Sequence, residues 1–207
     1  MKPKKALNHR SNLRIFAGNS SSNPLNEIGP EFHHFEGKDG LKVKVKCVSR
    51  FTSLTEVEKE FILKLTEGNM KDFYEKSEHG WNEKQKEKEF KNDNARFILC
   101  SNDEELIAFV HFRFELDDEE KHPVVYCYEI QVVPSFQSHG IGKFLMQILY
   151  QIGSKFKMNK IMLTCFKHNE KTYQFYQRLG YSLDVCSPSK CGLETTYEIL
   201  SLRIRSS

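Results

Sequence analysis

The feature that most restricts the fold is a change of hydrophobic period near residue 95. Upstream, Leu54, Val57, Phe61 and Leu65 recur at helical spacing behind Ser53-Leu54-Thr55-Glu56, which reads as a capping box. Downstream, Ala95 to Cys100, Leu106 to Phe114 and Val124 to Val133 are rich in β-branched and aromatic residues and predict three consecutive strands. Asn102-Asp103 marks the first turn, and the acidic block from Glu115 to Glu120 with Pro123 marks the second. A helix from Gly140 to Phe156, a strand from Ile161 to Phe166 and a helix from Lys171 to Arg178 follow. Gly180 stops that helix, and Tyr181 to Val185 and Thr195 to Leu202 supply the closing strands. The order predicts a single α/β (α+β) domain with a mixed central sheet of about seven strands flanked by helices.

Before the change of period, Leu41, Val43, Val45 and Cys47 alternate with lysines and predict a half-exposed strand. Gly68 is expected to interrupt the first helix, and a second stretch carries Met70, Phe73 and Tyr74 towards Gly80-Trp81. Residues 82 to 92 alternate Lys and Glu, as an exposed helix would. Residues 1–30 are basic and contain Gly18-Asn19-Ser20-Ser21-Ser22-Asn23-Pro24, so they read as a flexible segment ahead of a domain at 31–207.

The 207 residues suffice to bury a full core, and 39% hydrophobic with 29% charged is a globular profile. No apolar run reaches the roughly 18 residues of a membrane span. The N-terminus lacks an apolar h-region, so a cytoplasmic and nuclear address is expected, with no membrane partner. The six cysteines show no paired CxxC spacing, which predicts free thiols and no metal site. A net charge of +3 is too small to argue for nucleic acid. The basic start (Lys2, Lys4, Lys5, Arg10, Arg14) is either a solvated tail or a docking element, for import or for an acidic surface such as the ribosome.

The chemistry is carried by Gln137-Ser138-His139-Gly140-Ile141-Gly142-Lys143, between a strand and a helix. Glycines there let backbone approach a ligand, and free N–H groups at a helix start suit a pyrophosphate. The spacing is neither GxxxxGK[ST] nor GxGxxG. It resembles the Q/R-x-x-G-x-G/A loop of the GNAT superfamily of N-acetyltransferases. Asn169 through Tyr176 to Leu179-Gly180-Tyr181 looks like that superfamily's second signature. The segments Tyr126 to Gln131, Thr164 to Asn169, Tyr74 to Glu78 and Ser187 to Ser189 resemble the N-terminal acetyltransferase D (NatD) family more closely. That likeness runs from about Leu41 to Ser201.

The resemblance implies the GNAT fold, acetyl-CoA as co-substrate, and acetylation of the Ser-Gly-Arg-Gly start of histone H4 and a companion core histone by a monomer. It implies Glu129 as base and Tyr176 as proton donor to the thiolate. It assigns Ile130, Gln131, Val132, Gln137, Ser138, His139, Gly140, Ile141, Gly142, Lys143 and Asn169 to the cofactor. Tyr74, Glu115, Leu116, Asp117, Tyr126, Tyr128, Thr164, Cys186 and Tyr197 fall at peptide-contacting positions. Glu115 and Asp117, two apart on one strand, would share a face and match an arginine fork. Three positions depart from the pattern: His79 for tryptophan, Cys186 for a small polar residue and Gln137 for a basic one. A lysine or small-amine acetyltransferase, a non-catalytic acetyl-CoA-binding module and a nucleic-acid binder using the basic N-terminus are the competing readings, and the acidic block beside the expected site speaks against the last.

Overall fold

The computed structural model describes residues 4–37, 40–103, 105–117 and 121–205. In chain order they form α1 (Lys4–Ser20), β1 (His34–Glu36), β2 (Lys42–Ser49), α2 (Glu56–Glu75), α3 (Glu83–Phe90), β3 (Arg96–Asn102) and β4 (Glu105–Leu116). Then come β5 (Pro123–Val132), α4 (Ile141–Lys155), β6 (Lys160–Phe166), α5 (Glu170–Arg178), β7 (Ser182–Leu183) and β8 (Tyr197–Arg203). Eight strands among the described residues form one sheet in the order β1-β2-β3-β4-β5-β6-β8-β7. Only β5 and β6 run parallel, joined by the α4 crossover. The sheet is one strand longer than expected, because the three-residue β1 pairs with β2 and is too short to read as a strand in sequence.

The period of two sorts side chains onto the two faces. Ile98, Cys100, Val110 and Phe112 join the larger core with Leu145, Ile148 and Ile152 of α4. Their neighbours Phe97, Leu99 and Phe109 join a smaller core with Ile62 of α2 and Phe90 of α3. Each such side chain contributes about 1.5–3 kcal/mol by leaving water. In β2, Val43, Val45 and Cys47 are buried and the alternating lysines exposed, as expected.

Two local expectations change. The capping box is Thr55 with Glu58, not Ser53 with Glu56: the Thr55 hydroxyl accepts from Glu58 N, and Glu58 Oε2 accepts from Thr55 N. This shift turns Ile62 inward and leaves Val57 71% exposed. Gly68 does not interrupt the helix, since nothing crowds it and α2 continues for 20 residues. The described part of the segment 1–30 contains an ordered helix. Helix α1 packs on β4, with Gly18 so close to the Phe114 ring that a Cβ would lie 2.7 Å from it. The buried Arg96 side chain donates to the carbonyls of Gly18, Asn19 and Ser21, satisfying a helix C-terminus that has few apolar residues of its own. Leu25 then enters the larger core. Lys2 and the acidic residues Asp118, Glu119 and Glu120 lie outside the described residues.

Candidate active site

Strand β5 is paired differently along its length. Val124 to Cys127 pair with β6, and there the β5–β6 ladder ends, although β5 continues to Val132 and β6 to Phe166. On its other side β5 stays paired with β4 up to Val132, across a bulge that leaves Tyr128 without an opposite residue. The two parallel strands therefore splay from residue 128 onward. Backbone groups on the β6-facing edge of Tyr128–Val132 leave the ladder, and those not bonded to side chains become available to an extended ligand.

The loop sits at the open end of this splay. Ser138 (φ 68°) and Gly140 (φ 92°) are left-handed, and Gly140 begins α4 with no side-chain cap. The first N–H groups of α4 thus have no partner within the helix, the condition for holding an anion. A Cβ on Gly142 would lie 3.4 Å from the Phe175 ring, so glycine there lets α5 approach α4. Asn169 caps α5 by accepting from Thr172 N at 3.3 Å. The Val132 carbonyl accepts from Asn69 (3.2 Å) and Gln137 (3.1 Å), which ties the loop to α2.

A cavity of about 430 Å³ adjoins the splay. Glu115, Leu116 and Asp117 form one rim, Tyr126, Tyr128, Thr164 and Cys186 line it, and Tyr74, His79 and Trp81 bound it from the α2–α3 side. Its polar groups are already organised. Tyr128 OH donates to both Glu115 oxygens (3.0 and 2.9 Å), and the Arg113 guanidinium lies 4.0 Å over the Tyr128 ring. Tyr126 OH and Thr164 Oγ1 are 2.7 Å apart. Asp117 faces Lys160 Nζ at 3.2 Å, and Lys160 also holds Asp184 at 2.8 Å. The Cys186 thiol is pushed up to about 12 by burial and by Asp184, so it stays protonated and inert. Tyr197 is off the cavity wall, with its ring 5.4 Å from that of His79, which is on it.

Glu129 is 5% exposed and is not on the cavity wall. Both its oxygens are occupied: Oε1 by Lys86 Nζ at 2.8 Å and Oε2 by Gln131 Nε2 at 2.8 Å. Lys86 Nζ also donates to Tyr74 OH (2.8 Å) and Glu89 Oε1 (3.1 Å). Burial works against the Lys86 ammonium, yet Glu129 and Glu89 together hold its pKa well above the ordinary lysine value.

The Acetyltransferase (GNAT) family model matches residues 62–181. The chain belongs to this family. Its activity is therefore acetyl-CoA-dependent acetyl transfer. Among solved structures it is similar to Arabidopsis thaliana NAA60 in complex with a bisubstrate analogue, at 14% identity and TM-score 0.56, covering 79% of this chain and 100% of that one. It is similar to Arabidopsis thaliana Naa50 in complex with the bisubstrate analogue CoA-Ac-MVNAL, at 17% identity and TM-score 0.53, covering 76% and 97%. Vibrio cholerae spermidine N-acetyltransferase in complex with CoA and spermine matches at 15% identity and TM-score 0.55, covering 78% and 95%. At these identities the likeness is one of fold.

The GNAT fold brings most of the residues singled out in sequence into one region. Ile130, Gln131 and Val132 lie on the splayed half of β5, Gln137 to Lys143 form the loop and helix start, and Asn169 heads α5. Residue types and backbone there fit acetyl-CoA: an uncapped helix start for the pyrophosphate and an unpaired strand edge for the amide-bearing arm. Tyr176 is 4% exposed within the larger core, against Phe175 and Tyr181, and burial raises its pKa far above the usual tyrosine value. The expectation that residues 82–92 are an exposed helix is corrected at two positions, because Lys86 and Phe90 of α3 are buried. Phe90 was the available signal. As the lone aromatic in a charged run it marks the inward face, and Lys86 lies four residues before it on that face.

Proposed function

We propose that the enzyme acetylates the α-amine of protein N-termini that begin Ser-Gly-Arg-Gly, as histone H4 and a companion core histone do. The observation that supports this most is the cavity rim where Glu115 and Asp117 face the same space beside an aromatic wall. Two carboxylates at that spacing suit a guanidinium near the reacting amine. The same reading carries histone tails as the partner and a cytoplasmic and nuclear location.

Acetyl-CoA supplies the acetyl thioester. The chain's own residues do the rest. An α-amine has a pKa of about 7.7–8.0, so at neutral pH it must lose a proton before attack. Glu129 is the acceptor of that proton at Oε1 or Oε2, directly or through a water. The splayed edge of Ile130 to Val132 aligns the arm, and Gly140 to Lys143 hold its phosphates. Tyr176 keeps its phenolic proton and is the donor to the departing sulfur.

A second reading has one observation in its favour. Glu89, Glu115 and Asp117 make the cavity rich in carboxylates, which also suits a polyamine. Mass spectrometry of protein with acetyl-CoA and a Ser-Gly-Arg-Gly peptide decides between them. Acetylation of the peptide α-amine is expected, at a rate far above that for spermine or for an N-blocked peptide bearing lysine. Preference for either competitor would overturn the proposal.

A further inference from the structure

Lys86 is an unusual residue to bury on a helix of eight residues. Its side chain is 8% exposed and its three N–H groups meet three acceptors: Glu129, Glu89 and Tyr74 OH. A buried ion pair contributes little net stability, because desolvation of both charges offsets their attraction, and apolar replacements are often neutral or better. The fold alone therefore gives no reason for it. Its placement does, since Lys86 lines the cavity and touches the carboxylate beneath it.

We propose that Lys86 is a positioning residue for acetyl transfer, holding the Glu129 carboxylate aimed so that it can take the proton of the incoming amine. This rests on the reading of Glu129 as the base. The groups facing Glu129 are Tyr74 from α2, Lys86 and Glu89 from α3, His111 across the β4 ladder with Arg113 beyond it, Cys127 and Gln131 from β5, and Tyr176 from α5. Among these, Lys86 is the cation in hydrogen-bond contact. His111 is fully buried, and burial together with Arg113 and Lys86 keeps it neutral. Without Lys86, two carboxylates, Glu129 and Glu89, would be left in a low-dielectric site with no direct counter-ion and would bind a proton more readily. Phe90, fully buried one turn later, fixes the register of α3 that puts Lys86 there.

The test compares Lys86→Met, which keeps the stem without the charge, with Lys86→Arg, which keeps the charge. The acid limb of kcat/KM is expected to move up in Lys86→Met by about one pH unit or more, a loss of about tenfold at the foot of that limb. Activity on the alkaline side should approach that of the wild type, and Lys86→Arg should keep the limb where it is. Carbon NMR titration of substrate-free protein labelled at glutamate carboxyls gives a readout independent of turnover. The Glu129 resonance, assigned by its disappearance in Glu129→Gln, should titrate higher in Lys86→Met. Should Lys86→Met not fold, Lys86→Gln takes its place in both measurements. An equal loss at every pH, or an unmoved Glu129 titration, would mean that Lys86 only props α3. Wild-type activity in Glu129→Gln would instead remove the base itself, which is a different failure.

Discussion

The two halves of β5 differ in their pairing. Val124 to Cys127 are paired with strands on both sides, whereas Glu129 to Val132 pair with β4 alone and Tyr128 sits in the bulge between them. The closed half buries Val124 and places Val125 and Cys127 in the larger core. The open half carries Tyr128, Glu129 and Gln131, whose side chains bond to Glu115, Lys86 and Asn69. One strand thus serves as scaffold at one end and as site at the other. What separates the two ends is the loss of ladder partners, together with the polar Glu129 and Gln131 that enter an otherwise apolar, β-prone run. Substitutions in the two halves should accordingly damage different quantities.

The largest separation is expected from Glu129→Gln in the open half. On the proposed reading kcat falls by roughly 10²–10⁴, while acetyl-CoA affinity by calorimetry is unchanged. Its counterpart is Ile161→Ala, which removes the fully buried partner of Val125 in the closed half. Urea unfolding should show a loss of about 2–5 kcal/mol with kcat/KM per folded molecule near wild type. If Ile161→Ala instead lowers turnover while sparing stability, the division between scaffold and site does not hold.

The closed half was legible in sequence, because the apolar runs and period of two in β2 to β5 come from burial itself. So were α4, its inward Phe144, Leu145 and Ile148, and the loop before it. The splay was not legible from residues. It depends on where pairing stops, which no residue pattern marks. Lys86 was missed because a lysine in a Lys/Glu run looks solvated unless the facing carboxylate is known. Helix α1 was missed because its ordering comes from Arg96 and Phe114, some 80 to 100 residues away in the chain.

A smaller effect concerns the rim. Glu115 is bound to Tyr128 OH and Asp117 faces Lys160, so neither carboxylate is idle before a peptide arrives. Loss of a charge-assisted hydrogen bond costs about 1.5–3 kcal/mol, roughly ten- to hundredfold in kcat/KM. The Glu115→Ala, Asp117→Ala double variant should lose that much with a Ser-Gly-Arg-Gly peptide and far less with Ser-Gly-Ala-Gly. Lysine at the third peptide position should be a poorer substrate than arginine, since it lacks the planar fork. Equal losses on all peptides would reassign the pair to shaping Tyr128 and Lys160.

The smallest effect sharpens the comparison most, because the same chemistry recurs at both ends. Lys160 at the closed end holds Asp184 as Lys86 holds Glu129 at the open end. Burial opposes the Asp184 charge, but hydrogen bonds from Lys160, Ser201 and Cys186 outweigh it and lower its pKa from 3.8 to about 2. A carboxylate whose folded pKa is depressed adds stability above its unfolded pKa and loses it as pH falls through the folded value. The contribution of this pair should therefore be complete above about pH 4 and fade towards about pH 2. Asp184→Asn should melt below wild type at neutral pH, and the gap in Tm should close across that window. The acid limb of kcat/KM should stay where it is in Asp184→Asn, because Asp184 lies at the foot of β6 and Glu129 at the open end of β5. Calorimetric melts at stepped pH, run beside pH–rate profiles of the same protein, measure both. A shifted acid limb would mean that the two ends of the splay are electrostatically one site, with Asp117 and Lys160 as the bridge.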